Sequence, residues 1–173
     1  MRKHNGMRPQ DIVVLLKLVL MEKEPLNLSG LSHALFLSLS EISESLNRSM
    51  IAGLVDYEKK KVFRQNLMEF IEHGAKYVFP QLPGSMVRGM PTAHSHPFME
   101  QKISSDIPYV WPDNHGKVIG LELLPFYKKQ VEAVKQDSKL YKLLALVDVL
   151  RVGKVREIKL AVAELKEMIL HES

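Results

Sequence analysis

With 173 residues, of which 46% are hydrophobic and 25% charged, the chain can bury a real core, which excludes a disordered or fibrous protein and fits one functional unit in two sub-parts. It has no cysteine, so disulfides, thiolate zinc sites and cysteine nucleophiles are excluded and nothing points to an oxidising compartment; the cytoplasm is the expected location. The formal net charge of +4 suits a polyanionic partner but is too modest to decide one.

Met1, Arg2 and Lys3 ahead of the apolar run Ile12 to Met21 imitate a signal peptide. Asp11, Lys17 and the missing small-residue cleavage site argue against one, and the run is shorter than the roughly 20 residues of a membrane span. It reads as a buried first helix, with Pro9 in its first turn, Ile12, Leu15, Leu16, Val19 and Leu20 as its apolar positions, and an end before Pro25. Ser29 is the expected cap of a second, short helix through Ala34 and Leu35, followed by a turn around Phe36 and Leu37. Ser38 and Glu41 have the S-x-x-E spacing in which hydroxyl and carboxylate each satisfy an orphan N–H, so a third helix begins near Leu39. Ile42, Leu46 and Met50 mark its apolar face, Gly53 ends it, and Leu54 and Val55 lead out as a strand.

From Lys59 a basic stretch precedes a fourth helix with Phe63, Leu67, Phe70 and Ile71 on one face and Gly74 at its end. Residues 77–79 read as a short strand closed by Pro80. Residues 80–117 hold most of the prolines and read as loop and hairpin without helix, while 109–111 and 118–123 are expected strands bracketing a turn at 113–116. Asp137 or Ser138 then caps a helix with Leu140, Leu143, Leu144, Val147 and Leu150 inward; Gly153 breaks it, and a last helix runs from about Lys154 to His171. The expected fold is mainly α with small β: a helix-turn-helix core at 1–79, a Pro/Gly-rich loop and β-hairpin region at 80–125, and a C-terminal helical region at 126–173 that forms a helical hairpin.

Residues 29–55 have the pattern of a short helix braced by another, which is what entering a major groove about 12 Å wide requires. Leu31, Ala34, Leu35, Leu37, Ile42, Leu46 and Leu54 form the inward set. Ser40, Ser43, Glu44, Asn47 and Arg48 fall outward as candidate base and phosphate readers, with Asn47 suited to adenine and Arg48 to guanine or phosphate. A helical hairpin that is only core has the same pattern. Lys59, Lys60, Lys61 and Arg64 follow where phosphate contacts would flank such a helix, and Arg88, in the loop PGSMVRGMP, is a candidate for a minor groove.

The segment LSLSEISESLNRSMIAGLVD resembles the recognition-helix region of bacterial winged-helix regulators of the multiple-antibiotic-resistance kind, and of abortive-infection antitoxin DNA-binding domains. The likeness spans about 30 residues, and Phe36 departs from it, since such turns often carry glycine and a bulky residue is strained at a left-handed position. The stretches KYVFPQLPGSMVRGMPTAHSHP and YVWPDNHGKVIGLELLPFY resemble a group of small bacterial winged-helix proteins whose genes sit beside nucleotidyltransferase-like genes. The resemblance implies a winged helix-turn-helix transcription regulator acting on double-stranded DNA by operator binding, or an antitoxin that holds a partner toxin through its C-terminal region.

His94 and His96, with Asp113 and His115, suggest metal but lack a third ligand of definite spacing, so no metal or cofactor is expected. The absence of a nucleophile elbow, phosphate loop or HExxH leaves no catalytic residue to name, and no enzyme activity is expected. Glu157, Glu164 and Glu167 among Lys159 and Lys166 read as an exposed, internally paired helix face. A homodimer is expected, because one short recognition helix reads few base pairs; the faces Leu140, Leu143, Leu144, Val147 and Ile158, Ala161, Leu165, Met168 are its candidate contacts.

Overall fold

The computed structural model describes residues 6–105 and 107–171, mainly helical with one small sheet, in two compact units. The first comprises Met1–Leu67 and Phe126–Leu140, the second Met68–Pro125 and Tyr141–Ser173. Each unit is assembled from two segments distant in the chain. In the first unit, for instance, the Tyr127 hydroxyl donates to the Leu35 carbonyl at 2.8 Å and Lys17 pairs with Asp137 at 2.6 Å.

The first unit is built on α1 (Pro9–Leu20), whose residues 11–16 are all buried, with α2 (Leu28–Leu35) and α3 (Leu39–Ile51) packed on it and α7 (Gln130–Lys135) on α2. Each fully buried Ile or Leu here contributes about 1.5–3 kcal/mol. Asn27, not Ser29, caps α2, its side chain accepting from the Gly30 N–H at 3.1 Å. Ser38 and Glu41 form the reciprocal capping box of α3 as their spacing requires.

Both α2 and α3 end in the same way. Leu37 N–H donates to Ser32 O (3.2 Å) and Phe36 N–H to His33 O (3.4 Å); Leu54 N–H donates to Ser49 O (2.9 Å) and Gly53 N–H to Met50 O (3.0 Å). These six-to-one and five-to-two bonds need a left-handed residue. Gly53 supplies it at φ 78°, and Phe36 takes it at φ 54° despite its bulk, at a cost of about 1–2 kcal/mol. The Ser32 hydroxyl, donating to the Leu37 carbonyl, helps hold that turn. Val55 forms an isolated antiparallel bridge with Val62 instead of an extended strand.

Along the chain, α4 (Arg64–His73) ends at Gly74 as expected, but residues 77–79 are not a strand. Gly74 keeps helical geometry, Val78 N–H returns to Gly74 O (3.0 Å) and Phe79 N–H to Ala75 O (2.8 Å), so one more turn, α5 (Ala75–Val78), is made. Phe79 then packs edge-on against Phe70 at 6.1 Å between ring centroids.

In the second unit β1 (Met86–Thr92) pairs antiparallel with both β2 (Tyr109–Pro112) and β3 (Val118–Glu122), while β2 and β3 run parallel, with Tyr109 opposite Leu121. The three close into a minute barrel, so the expected β2/β3 hairpin is not formed although the 113–116 turn is. Three glycines permit the closure. A Cβ on Gly89 would stand 2.1 Å from the Trp111 carbonyl oxygen, one on Gly116 2.4 Å from that of Gly89, and one on Gly120 2.5 Å from that of Pro108. The proline-rich stretch also contains a 3-10 turn (Ala93–Ser95) and a short helix, α6 (Pro97–Glu100), which Pro97 starts from its first position.

Helix α8 (Ser138–Val152) is buried on every face between 143 and 150, not only along the expected stripe. Its one charge there, Asp148, accepts from the Thr92 hydroxyl and the Trp111 indole, each at 2.8 Å, and from Arg151 at 2.7 Å. Helix α9 (Val155–Lys166) continues into a π-helical turn, Glu167–His171. Glu157 is buried, accepting from the Lys154 N–H at 2.9 Å, and Glu164 pairs with Lys142 of α8; the expected exposed, self-paired carboxylate face is thus not what these two residues form. Leu140, Leu143, Leu144, Val147, Ala161, Leu165 and Met168 are likewise buried within the chain, so those faces are not available to a second copy. Among the described residues no helix is long and apolar enough to cross a membrane.

Candidate nucleic-acid interface

Five residues of α3 lie among the expected readers, and burial separates them. Ser40, Ser43 and Glu44 are exposed and Asn47 is half-buried. Arg48 is the exception: only 8% of it is exposed, and its guanidinium holds the fully buried Asp11 carboxylate through Nε at 2.9 Å and Nη2 at 2.8 Å. Asp11 also accepts from the Ser45 hydroxyl at 2.6 Å and from the Arg8 N–H at 2.8 Å. Arg48 is therefore placed inward and not among the outward residues where helical spacing set it, with two of its five N–H donors on a carboxylate 37 residues away. Hydrogen bonding to Asp11 raises the Arg48 pKa above its usual value, against the opposing effect of burial, and the pair clamps α3 to α1.

Glu41 is engaged in the α3 cap, leaving Ser40, Ser43, Glu44 and Asn47 as the polar outward set, flanked by exposed Leu39 and Ile51. No cation belongs to this set. The lysines lie instead in a tight loop between Val55 and Val62, a projection that sequence reasoning treated as the approach to a helix. Asp56 builds it, with its carboxylate accepting from the N–H groups of Lys60 (2.7 Å) and Lys61 (3.0 Å) and its backbone N–H donating to Lys61 O (2.9 Å). Those bonds, with the charges of both lysines, hold the Asp56 pKa below the usual carboxylate range. Lys59 takes a left-handed conformation at φ 60° and Tyr57 stands 90% exposed. The legible signal was a pair of valines seven residues apart around a turn-forming aspartate.

The remaining candidates are placed otherwise. Arg64 pairs with Glu22. Arg88 does not sit at a loop tip: it is inside β1 opposite Ile119, exposed, its guanidinium donating to Gly116 O at 3.3 Å, and it belongs to the second unit. His94 and His96 are buried with separate partners. His94 Nε2 meets Ile107 O at 2.7 Å beside the Tyr109 ring, whereas His96 Nδ1 accepts from the Phe98 N–H at 3.1 Å beside Tyr141. Burial and the nearby Lys142 lower the His96 pKa to about 4. Asp113 accepts from the His115 N–H, and no group of three potential ligands comes together among the described residues.

Charge is divided unequally. The sequence of the first unit carries 14 Lys and Arg against 9 Asp and Glu; that of the second carries 10 against 11. The entire positive excess belongs to the unit that contains α3 and the lysine loop. No protein family, curated protein or solved structure matches the chain.

Proposed function

We propose that the chain is a winged helix-turn-helix protein that binds double-stranded DNA and regulates transcription by occupying an operator. In this reading α2, the turn at Phe36 to Ser38 and α3 are the helix-turn-helix, and the loop between Val55 and Val62 is a short wing. The observation that carries it is the concentration of the positive excess in the unit that presents Ser40, Ser43, Glu44 and Asn47 on one face of a helix clamped by buried Asp11 and Arg48. The electrostatic attraction to phosphates is supplied by the unit as a whole and carries no sequence information. Discrimination comes from the polar set, with Asn47 matched to an adenine edge and Glu44 to the amino group of a cytosine. The burial of the C-terminal apolar faces removes support from the alternative in which those helices grip a toxin.

Selection from random duplexes followed by titration tests the reading. Enrichment of a defined sequence is expected, and Asn47→Ala or Glu44→Ala should relax one position each at about 1–3 kcal/mol while leaving non-specific binding in place. Failure to enrich any sequence refutes operator binding.

A further inference from the structure

The outward face of α3 meets a polyanion at a disadvantage. Glu41 and Glu44 stand exposed on it three residues apart, and with Arg48 turned inward the helix offers no cation to offset them. Compensating charge has to come from neighbouring elements. One of these is the turn ahead of α7. Phe126 is buried there, its N–H donating to Gln130 Oε1 at 2.8 Å, and Gln130 is itself fully buried, its N–H returning to Tyr127 O at 3.3 Å. Tyr127 reaches α2, where its hydroxyl donates at 2.8 Å to the carbonyl of Leu35, three residues before the Ser38 that caps α3. The turn is thus pinned beside the start of α3, and Lys128 and Lys129 stand exposed on it. Lys129 shares its charge with Glu132 at 3.6 Å, an exposed pair that water and salt screen; among the described residues Lys128 has no ion-pair partner.

The other end of α3 is flanked in the same manner. Leu54 N–H closes the helix onto Ser49 O, and the loop that carries Lys59, Lys60 and Lys61 begins at Val55. With 13 residues α3 is about 20 Å long, so the two cationic turns lie far enough apart to reach phosphates on both sides of a groove about 12 Å wide. We propose that Lys128 and Lys129 form a second phosphate grip of the DNA site, holding the backbone at the N-terminal end of α3 while Lys59, Lys60 and Lys61 hold it at the C-terminal end. The inference rests on the DNA reading and adds to it a surface that no pattern within residues 29–64 records, because the cations arrive from a segment 92 residues further on. Lysine suits the role as a compact charge on a flexible stem, which meets a phosphate without reading sequence.

Anisotropy titration of the full chain on a random duplex and on a selected one, at several salt concentrations, tests the grip. Lys128→Gln with Lys129→Gln should make the slope of log K against log salt less negative by about 2, since each lost phosphate contact removes about 0.9, and should weaken both duplexes by the same factor with unchanged far-ultraviolet circular dichroism. Lys76→Gln with Lys102→Gln, at exposed lysines of the second unit, removes the same charge and should leave the slope as it was. Position is read separately. The chain has no cysteine, so Lys128→Cys and Lys60→Cys each introduce a sole thiol for an iron chelate, whose hydroxyl radicals should cut the selected duplex at separate flanks of its sequence. A slope that moves no further than with the Lys76 and Lys102 pair, or cuts from both thiols at one place, overturns the proposal. A flattened slope on the random duplex with no sequence enriched upholds the grip and defeats operator binding alone, whereas an enriched sequence bound with an unmoved slope defeats the grip alone. No binding to any duplex defeats both.

Discussion

Replacing Arg48 with alanine separates a clamp from a base reader. The Asp11 carboxylate has four donors in the folded chain, and the variant removes the two that are charge-assisted, leaving the Ser45 hydroxyl and the Arg8 N–H. Asp11 is fully buried beneath Arg48, so the variant leaves its carboxylate without its only charged partner shown. Breaking one partner from a buried pair costs about 3–5 kcal/mol, and the two surviving hydrogen bonds place this case near the lower end, about 3 kcal/mol. With a urea slope of about 2 kcal/mol per molar, the denaturation midpoint should fall by roughly 1.5 M, followed by circular dichroism. Asp11→Leu combined with Arg48→Met should lose much less than the sum of the two single changes, because the paired removal leaves no orphaned charge. A midpoint shift in Arg48→Ala of only a few tenths of a molar, with sequence discrimination lost, would refute the clamp and restore Arg48 as a reader.

Acid should expose His96. The unfolded histidine takes a proton near pH 6.5 and the folded one only near 4, so stability is lost as pH falls through that window, by up to about 3 kcal/mol, and His96→Asn should flatten the loss in urea titrations at pH 7 and 4.5. Gly89→Ala puts a Cβ 2.1 Å from the Trp111 carbonyl oxygen, which the barrel cannot absorb; loss of soluble protein, or a melting temperature lower by more than about 10 °C, is expected, and near-wild-type melting would count against a closed barrel. Replacing Lys59, Lys60 and Lys61 together with glutamine should weaken binding to all duplexes alike and make the slope of log K against log salt less negative by up to about 2–3, read by anisotropy titration at several salt concentrations. Asp56→Ala should loosen the lysine loop, seen as faster amide exchange at Lys60 and Lys61; the same loosening should appear in the wild type as pH falls below the usual aspartate range, since the lowered pKa keeps those bonds intact above it.

What could be read from the sequence alone was what short-range chemistry decides. The first turn of α1 at Pro9, the capping box of Ser38 and Glu41, the stop at Gly53 and the cap at Asp137 depend on residues within three or four positions of one another, and all four are present. The mainly helical content with a small β component followed from the same periodicities. Tertiary structure decided whatever hangs on distant partners. Helical spacing turns Arg48 outward, but a buried carboxylate 37 residues earlier draws it in. Phe36 was an unpromising left-handed residue until the turn between α2 and α3 required one. The order and direction of β1, β2 and β3 depended on three glycines whose missing side chains let backbones pass, and a helix buried on every face between 143 and 150 could carry Asp148 only because Thr92 and Trp111 converge on it from two other places in the chain, beside Arg151 one turn along the same helix. A buried charge is tolerable only when such donors arrive, and no local pattern records their arrival.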